Sequence, residues 1–212
     1  MSSVAGRVLE FFRVLGEARH IMPALKFKMP DHQEQISIVS VFEDVVAQHP
    51  DRLMLLFEGR EWTYQAFNAD VNRLAHGLAA NGVTRGDTVA LFMENRADFV
   101  LSMLAVMKLG ASCALINNSL SGRALAHCIK ATNSKHLIFG DERTTVVDDS
   151  REEIGLPASG AYFWFRDKGD ALSPAWTVDA RDLMSAQTVE NLPVTREIKA
   201  GEGALYIFTS GT

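Results

Sequence analysis

The chain has 212 residues, of which 47% are hydrophobic and 22% charged, and its formal net charge is −5 at pH 7. This composition predicts a folded globular chain, and the acidic balance argues against a general nucleic-acid-binding protein, which normally carries a basic surface. No stretch approaches the roughly 18 apolar residues of a membrane-spanning helix. Cys113 and Cys128 lie in apolar patterns without metal-ligand spacing, so the sequence predicts buried free thiols and no metal site.

Residues 1–30 are predicted to form an amphipathic helix followed by a linker. Apolar side chains recur at near-helical spacing over residues 4–25, with charged residues largely on the opposite side. Glu10, Arg13 and Glu17 interrupt the apolar stretch, so it does not resemble a secretory signal, and the default compartment is the cytoplasm. Acidic residues on the polar face favour packing against protein, while peripheral contact with a membrane surface through two phenylalanines stays open.

Residues 38–82 predict a helix, a hairpin and a second helix. The run IVSVFEDVVAQ has the apolar spacing of a short amphipathic helix. Two β-prone runs then flank Glu58 and Gly59, where glycine supplies the positive φ that a tight turn needs. Thr63 is a predicted N-cap for the helix that follows.

Strand and helix patterns alternate between residues 87 and 140. The strand candidates DTVALFM, SCALI and SKHLIFG are largely apolar throughout, which is typical of strands covered on both faces. Helical periodicity fills the intervening runs RADFVLSMLAVMKLG and SGRALAHCIKAT. This β-α-β-α-β order predicts an α/β fold with a mostly parallel sheet and helices on both faces.

Two polar segments follow predicted strands, residues 93–95 (MEN) and residues 116–120 (INNSL). Ligands of open parallel sheets bind at the carboxyl ends of the strands, so both segments are candidate site-lining loops. Helix capping by Asn95 and Ser121 explains the same residues without a ligand, and both interpretations stay open.

Residues 140–203 alternate less regularly. AYFWF predicts one more strand and ARDLMSAQ a short helix, whereas DERTTVVDDSREE is strongly charged and its neighbours are rich in turn residues. The composition predicts an irregular excursion before the chain returns to a strand at GALYIF.

The chain ends in YIFTSGT, a buried-strand pattern followed by four small residues. Thr209, Ser210, Gly211 and Thr212 offer hydroxyl groups, backbone amides and a glycine without a Cβ, a donor set that suits a phosphate. On residue types alone, an ordinary turn is the favoured interpretation. The GxxxxGK[ST] pattern does not occur, which disfavours a P-loop GTPase or kinase.

Together these motifs resemble those of the adenylate-forming, or AMP-binding, superfamily. YIFTSGT is similar to the opening of its phosphate-binding signature, which typically continues as T-G-x-P-K. The WTY helix start, the GV..GD.VAL...N strand entry and the K.G......N..L....L.H.I stretch follow the same pattern. ALINNSLSGRALAHCI and YIFTSGT are most similar to the fatty-acid-transport-protein and very-long-chain acyl-CoA synthetase branch. The resemblance covers residues 38–140 and 203–212 and is weak through residues 141–202.

The resemblance implies that residues 31–212 are part of an AMP-binding domain. It also implies an enzyme that joins a fatty acid to coenzyme A, using ATP and Mg²⁺ and passing through an acyl-AMP. Thr209, Ser210, Gly211 and Thr212 would then hold the ATP phosphates. The family's catalytic residues and metal-binding glutamate are expected downstream of Thr212, so neither role is assigned within this chain.

The break inside the signature predicts the N-terminal part of a fatty acid–CoA ligase, inactive as an isolated chain and with apolar surface exposed where sheet neighbours are missing. Two alternatives stay open. One is a non-catalytic interaction or membrane-surface module from a truncated gene, and the other is a ligase for a different carboxylic acid.

Overall fold

A computed structural model describes residues 28–168 and 170–208. The chain divides into two compact units, Met1–Asp31 and His32–Thr212. Within the first unit only residues 28–31 are described, so the helix predicted near the N-terminus lies outside the described residues. Every described helix and strand belongs to the second unit.

The second unit is an α/β structure that confirms the predicted fold class. The helices are α1 (Ile38–Gln48), α2 (Tyr64–Ala80), α3 (Ala97–Lys108), α4 (Gly122–Ala131), α5 (Thr144–Ile154) and α6 (Ala180–Ser185), with short 3₁₀ helices at Asp141–Arg143 and Pro193–Glu197. The strands are β1 (Leu53–Phe57), β2 (Arg60–Thr63), β3 (Thr88–Phe92), β4 (Ser112–Leu115), β5 (His136–Gly140), β6 (Tyr162–Phe165), β7 (Val178–Asp179) and β8 (Leu205–Ile207).

Strands β1 and β2 form the predicted antiparallel hairpin. Glu58 and Gly59 at its turn have φ values of 49° and 79°, as a two-residue turn with both central residues at positive φ requires. The Thr63 hydroxyl then accepts the N–H of Ala66 at 3.1 Å. This bond satisfies one of the free amides in the first turn of α2, so the predicted N-cap is confirmed.

The remaining strands form a six-stranded sheet in the order β7-β6-β5-β3-β4-β8, and every neighbouring pair is parallel. Every residue of β3, β5 and β6 is buried, because helices cover both faces of the sheet. One hydrophobic cluster joins α1, α2, α3 and α6 to the sheet through residues such as Leu91 and Phe163, and a second joins α4 and α5 through Phe139 and Trp164.

The prediction of an irregular excursion is wrong for residues 144–154, which form α5. The helix buries Val147, Ser150 and Ile154, and the middle of these three positions is a serine. Its apolar stripe is therefore too narrow to give a helical period in the sequence. The strand predicted at AYFWF and the helix predicted at ARDLMSAQ are confirmed as β6 and α6.

Two smaller predictions also need correction. Neither Asn95 nor Ser121 caps a helix with its side chain: the N-cap position of α3 is Arg96, and Ser121, which does occupy the N-cap of α4, makes no side-chain capping bond. Cys113 is buried in β4, and burial raises the pKa of its thiol to about 12. Cys128 is only half-buried, so the expectation of buried thiols holds for Cys113 alone.

A fully buried lysine joins the helices on one face of the sheet. The Lys108 ammonium lies 2.7 Å from the Glu43 carboxylate, 2.7 Å and 2.6 Å from the side-chain oxygens of Asn68 and Asn72, and 3.1 Å from that of Asn191. Burial lowers the pKa of Lys108, and the Glu43 carboxylate opposes this change. Because buried charges need partners, this cluster fixes α1, α2 and α3 against one another.

A second ionic contact anchors the segment that leads into β8. Arg85 donates its Nε–H to the Glu202 carboxylate at 2.9 Å, and its Nη2 group donates to the other Glu202 oxygen and to the carbonyl of Glu197. The backbone N–H of Lys199 also donates to Glu202 at 2.9 Å. These hydrogen bonds, above all the one from Arg85, lower the pKa of Glu202 from 4.5 to about 2.

Replacing Lys108 with methionine is expected to lower the free energy of unfolding by about 3 kcal/mol, because the Glu43 carboxylate would stay buried with only Arg196 beside it. Urea denaturation measures the change. The matched control is Lys130→Met on the exposed side of α4, which should shift stability by less than about 0.5 kcal/mol. Equal effects of the two substitutions would contradict a structural role for the buried cluster.

The contact between Arg85 and Glu202 should stabilise the fold in a pH-dependent way. Glu202 has a folded pKa below its unfolded value, so its contribution is present above pH 4.5 and is lost as the pH falls toward about 2. Glu202→Gln should cost about 1 kcal/mol at neutral pH, since Arg85 is partly exposed. The difference in free energy of unfolding between wild type and Glu202→Gln, measured by urea denaturation, should become smaller as the pH falls from 4.5 toward about 2. A difference that does not change with pH would contradict a stabilising role for ionised Glu202.

Candidate functional site

The six parallel strands end on the same side of the sheet, here called the carboxyl edge. The segments that leave it are residues 93–96 after β3, 116–120 after β4, 141–143 after β5 and 166–168 after β6. Both candidate loops predicted from the sequence therefore lie at this edge. Open parallel sheets bind ligands there, in crevices between strands whose connections run in opposite directions.

Such a reversal of chain direction occurs between β3 and β5. Strand β3 continues through α3 to β4 on one side, whereas β5 continues through α5 to β6 on the other. The chain's own ion pair lies at this point, where Arg96 Nη1 donates to Glu142 Oε2 at 3.0 Å. The other Glu142 oxygen accepts the backbone N–H of Glu94 at 2.8 Å. A cavity of about 230 Å³ adjoins this pair, so the reversal is bordered by charged side chains that are already paired.

Arg96 is the most heavily coordinated cation at the carboxyl edge. Its side chain is only 6% exposed, and it donates to the carbonyl of Phe165 at the end of β6 at 3.1 Å. Three further carboxylates surround it at 3.4, 3.6 and 3.7 Å, those of Asp98, Asp141 and Asp167. The concentration of negative charge compensates a guanidinium that has lost most of its water.

Asp98 extends this cluster to α6. It accepts a hydrogen bond from Arg181 at 2.6 Å, so the first turn of α3 and the first turn of α6 are joined through one carboxylate. Burial raises the pKa of Asp98, while the nearby Arg181 and Arg96 guanidinium groups oppose that rise.

Glycine at position 140 makes room for the Glu142 carboxylate. A Cβ added to Gly140 would lie 2.0 Å from one carboxylate oxygen and 2.5 Å from the other. The Glu142 carboxylate folds back over Gly140, the last residue of β5, toward β3. A side chain at position 140 would occupy the same space.

A second arginine fixes the turn after β4. Arg143 Nη1 donates to the carbonyl of Asn118 at 3.2 Å, and its Nη2 donates to the Glu94 carboxylate at 2.6 Å. The Asn118 side-chain amide donates to the carbonyl of Met93 at 2.8 Å. Residues 93–95 and 116–120 are thereby locked to each other and to the end of β5.

Strand β8 lies beside this turn. It pairs with β4 in parallel register, with Leu115 opposite Ile207, so Phe208 follows at the carboxyl edge next to the start of residues 116–120. Among the described residues β8 has a strand on one side only, and Tyr206, Ile207 and Phe208 are 46, 69 and 38% exposed. The predicted phosphate-binding residues Thr209, Ser210, Gly211 and Thr212 lie outside the described residues.

A cleft of about 190 Å³ separates the hairpin turn from the carboxyl edge. Trp62 forms part of its apolar wall, with the Arg60 guanidinium 4.2 Å from the ring centroid. Most of the other charged groups are already paired, for example Lys168 with Glu58 at 2.8 Å. Within residues 28–168 and 170–208 there is no group of three or more His, Cys, Asp or Glu side chains that could hold a metal ion, so no Mg²⁺ ligand is assigned there.

Comparison with known families identifies the class of protein. The family described as AMP-binding enzyme matches residues 42–212, and the chain belongs to this family. Its resemblance to the adenylate-forming superfamily is thereby confirmed.

Two relatives narrow the resemblance within the family. The medium/long-chain-fatty-acid–CoA ligase FadD6 of Mycobacterium tuberculosis is 34% identical over 176 residues, and the long-chain fatty acid transport protein 1 of Homo sapiens is 35% identical over 181 residues. Each alignment covers 83% of this chain and 27% of the relative. The chain thus spans about a quarter of the length of these proteins.

Among solved structures, the crystal structure of the anthranilate CoA ligase AuaEII in complex with anthranoyl-AMP matches with a TM-score of 0.71. The match covers 89% of this chain and 34% of that one, at 18% sequence identity. At this identity the similarity establishes the shared fold alone. Across the described part of the chain, no helix is long and apolar enough to cross a membrane.

Sequence reasoning found the loops at the carboxyl edge but missed the side chains that hold them. Arg96, Glu142 and Arg143 lie in runs that read as ordinary charged loops, ENRAD and GDERT. Three of their hydrogen-bond partners are 25 to 69 residues away along the chain, so no local spacing indicates these bonds. The glycine that ends the buried strand β5, two residues before a glutamate, is a signal that could have pointed to Glu142.

Substituting Gly140 with alanine should displace the Glu142 carboxylate and break its bonds to Arg96 and to the Glu94 amide. Because Arg96 stays buried, we expect the free energy of unfolding to fall by about 1–3 kcal/mol. Chemical denaturation measures this loss. Adding Glu142→Gln to Gly140→Ala should lower the free energy of unfolding little further, because the alanine has already broken the bonds of Glu142. Losses that add fully in the double variant would show that Gly140 does not act by making room for Glu142.

Proposed function

We propose that this chain is the N-terminal portion of a fatty acid–CoA ligase. The observation that carries the proposal is the family match over residues 42–212, which runs through the segment TSGT. The names of the two relatives supply the substrate class, since both refer to medium- or long-chain fatty acids.

In the proposed reaction, a fatty acid carboxylate oxygen attacks the α-phosphorus of ATP. The bond between the α-phosphorus and the bridging oxygen breaks, which gives acyl-AMP and releases pyrophosphate. The coenzyme A thiol then loses its proton to solvent and its sulfur attacks the acyl carbonyl carbon; the bond to the AMP oxygen breaks, and AMP leaves as the thioester forms. Each step moves negative charge onto a leaving phosphate, so donors positioned around the phosphates accelerate it.

We assign Thr209, Ser210, Gly211 and Thr212 to the ATP phosphates. They directly follow Phe208, which lies at the carboxyl edge beside the turn after β4. Hydroxyl and amide donors suit phosphate oxygens, and a glycine allows close approach of the backbone.

The remaining parts of the reaction are proposed for the whole protein. Mg²⁺ would offset phosphate charge during adenylation, and we expect the metal-binding glutamate of the family downstream of Thr212. Coenzyme A is the second substrate. Since this chain spans 27% of the length of the relatives, we propose that the 212-residue polypeptide alone does not turn over. Coupling to fatty acid uptake and peripheral membrane contact through the N-terminal segment complete the proposal, with the cytoplasm as the compartment.

The test is exchange of radiolabelled pyrophosphate into ATP. The complete gene product should catalyse exchange that depends on palmitate and Mg²⁺, and it should form palmitoyl-CoA when coenzyme A is added. The 212-residue chain should catalyse neither reaction. Ser210→Ala in the complete protein should slow exchange by about 100- to 1,000-fold, as loss of one charge-stabilising donor does.

The matched control is Ser121→Ala, because the Ser121 side chain makes no capping bond at the start of α4. This variant should exchange at the wild-type rate. Exchange by the complete protein that is supported by benzoate and not by palmitate would overturn the fatty acid assignment. Robust exchange by the 212-residue chain would overturn the need for further polypeptide.

A further inference from the structure

We propose that Arg143 is a positioning residue for ATP, an inference that rests on the proposed function. The assignment concerns how the phosphate-binding segment is held in place and does not require Arg143 to touch the ligand. It rests on the contacts of Arg143 at the carboxyl edge and on the pairing of β4 with β8.

Arg143 joins the ends of three neighbouring strands. It follows β5 in the chain, and it reaches the Asn118 carbonyl after β4 at 3.2 Å and the Glu94 carboxylate after β3 at 2.6 Å. Its guanidinium also lies 5.7 Å from the ring centroid of Phe92, the last residue of β3. The side chain is 19% exposed, so these contacts are partly shielded from water and hold the planar group in one orientation.

The turn that Arg143 holds is already stiff within itself. Asn117 accepts hydrogen bonds at 2.9 Å from both the backbone N–H and the hydroxyl of Ser119. The Asn118 side chain ties the same turn to Met93. A rigid turn moves as one piece, so its position depends on the contacts that join it to its neighbours, and Arg143 provides the contact from the β5 side.

The position of β8 in turn depends on β4. Strand β8 has only three residues, and β4 is its one strand neighbour in the described part of the chain. Phe208 leaves β8 beside the start of residues 116–120, and Thr209 is the next residue along the chain. Because the turn continues directly from β4, we expect a shift of the turn to displace the point at which Phe208 leaves β8.

The Glu94 carboxylate pairs with Arg143 and offsets its charge. We therefore attribute the expected effect of Arg143 on ATP binding to the position in which it holds the turn. Its geometry distinguishes it from Arg123, which is 95% exposed and whose ion pair with Glu153 has a separation of 3.9 Å. Arg123→Gln is thus a matched control that removes the same charge without loosening the carboxyl edge.

The kinetic test compares wild type, Arg143→Gln, Arg143→Lys and Arg123→Gln in the complete gene product. Arg143→Gln should raise KM for ATP by about 10-fold and lower kcat, since small displacements of binding groups cost large factors in rate. KM for palmitate should stay within about twofold, a pattern that simple loss of folded protein would not produce. Arg143→Lys should recover part of the loss, and Arg123→Gln should match wild type.

A double substitution checks the route through Glu94. Glu94→Gln combined with Arg143→Gln should be no worse than Arg143→Gln alone, because both changes break the same link. Fully multiplicative effects on KM for ATP would contradict a shared positioning role. An Arg143→Gln enzyme whose KM for ATP equals that of Arg123→Gln would overturn the proposal.

Hydrogen exchange supplies a readout that is independent of activity. In Arg143→Gln, backbone amides of residues 116–120 and 204–208 should exchange faster than in wild type, whereas those of α1 and α2 should not change. Unchanged exchange over residues 204–208 would overturn the positioning route even if the enzyme were inactive. If the wild-type protein showed no palmitate-dependent exchange of pyrophosphate into ATP, the proposed function would be overturned instead. Failure of the positioning role and failure of the proposed function are therefore distinguishable.

Discussion

The arrangement of the carboxyl edge depends on one buried guanidinium. Arg96 has lost most of its water and is compensated by four carboxylates and by a carbonyl at the end of β6. Each compensating group belongs to a segment that leaves the sheet or to the first turn of α3. The requirement to satisfy this charge therefore draws the ends of β3, β5 and β6 together at the place where ligands of open parallel sheets ordinarily bind. The cleft between the hairpin turn and the carboxyl edge borders the same guanidinium.

The parts of this architecture that local chemistry determines could be predicted from sequence. Strands β3 and β5 are buried on both faces, and their sequences are largely apolar. The turn at Gly59 needs a residue with positive φ, which glycine supplies. Helix α5 could not be predicted in the same way, because its buried stripe includes Ser150. The bonds from Arg96 to Glu142 and from Arg143 to Glu94 join residues more than 40 positions apart, and no sequence period or local spacing indicates such contacts. The family could be identified from sequence motifs, and the match to the AMP-binding enzyme family over residues 42–212 agrees with them. Neither depends on knowing these long-range contacts.

Lys108 and Arg96, two buried cations among the described residues, serve different ends. Lys108 lies among helices on one face of the sheet, where one carboxylate and three asparagine oxygens surround it. Arg96 lies at the edge of the sheet, where its partners come from strand ends, from the segments that follow them and from the first turn of α3. A compact ammonium suits convergence of several side chains on one point, and a planar guanidinium suits bridging between separate segments. The first stabilises the scaffold, and the second shapes the boundary at which chemistry is proposed.

Among the described strands β8 is the shortest but one, and two of its three residues are exposed, which gives it a thermodynamic character unlike that of the central strands. Elements with few buried contacts open locally at a small free-energy cost, whereas β3 and β5 open only when the whole unit unfolds. A ligand that requires an ordered β8 must supply that ordering free energy from its own binding, and its apparent affinity is reduced accordingly. A partner or chain segment that pairs with β8 on the side where the described residues place no strand would order β8 before the ligand binds. Affinity for the ligand would then rise without a single new contact to it.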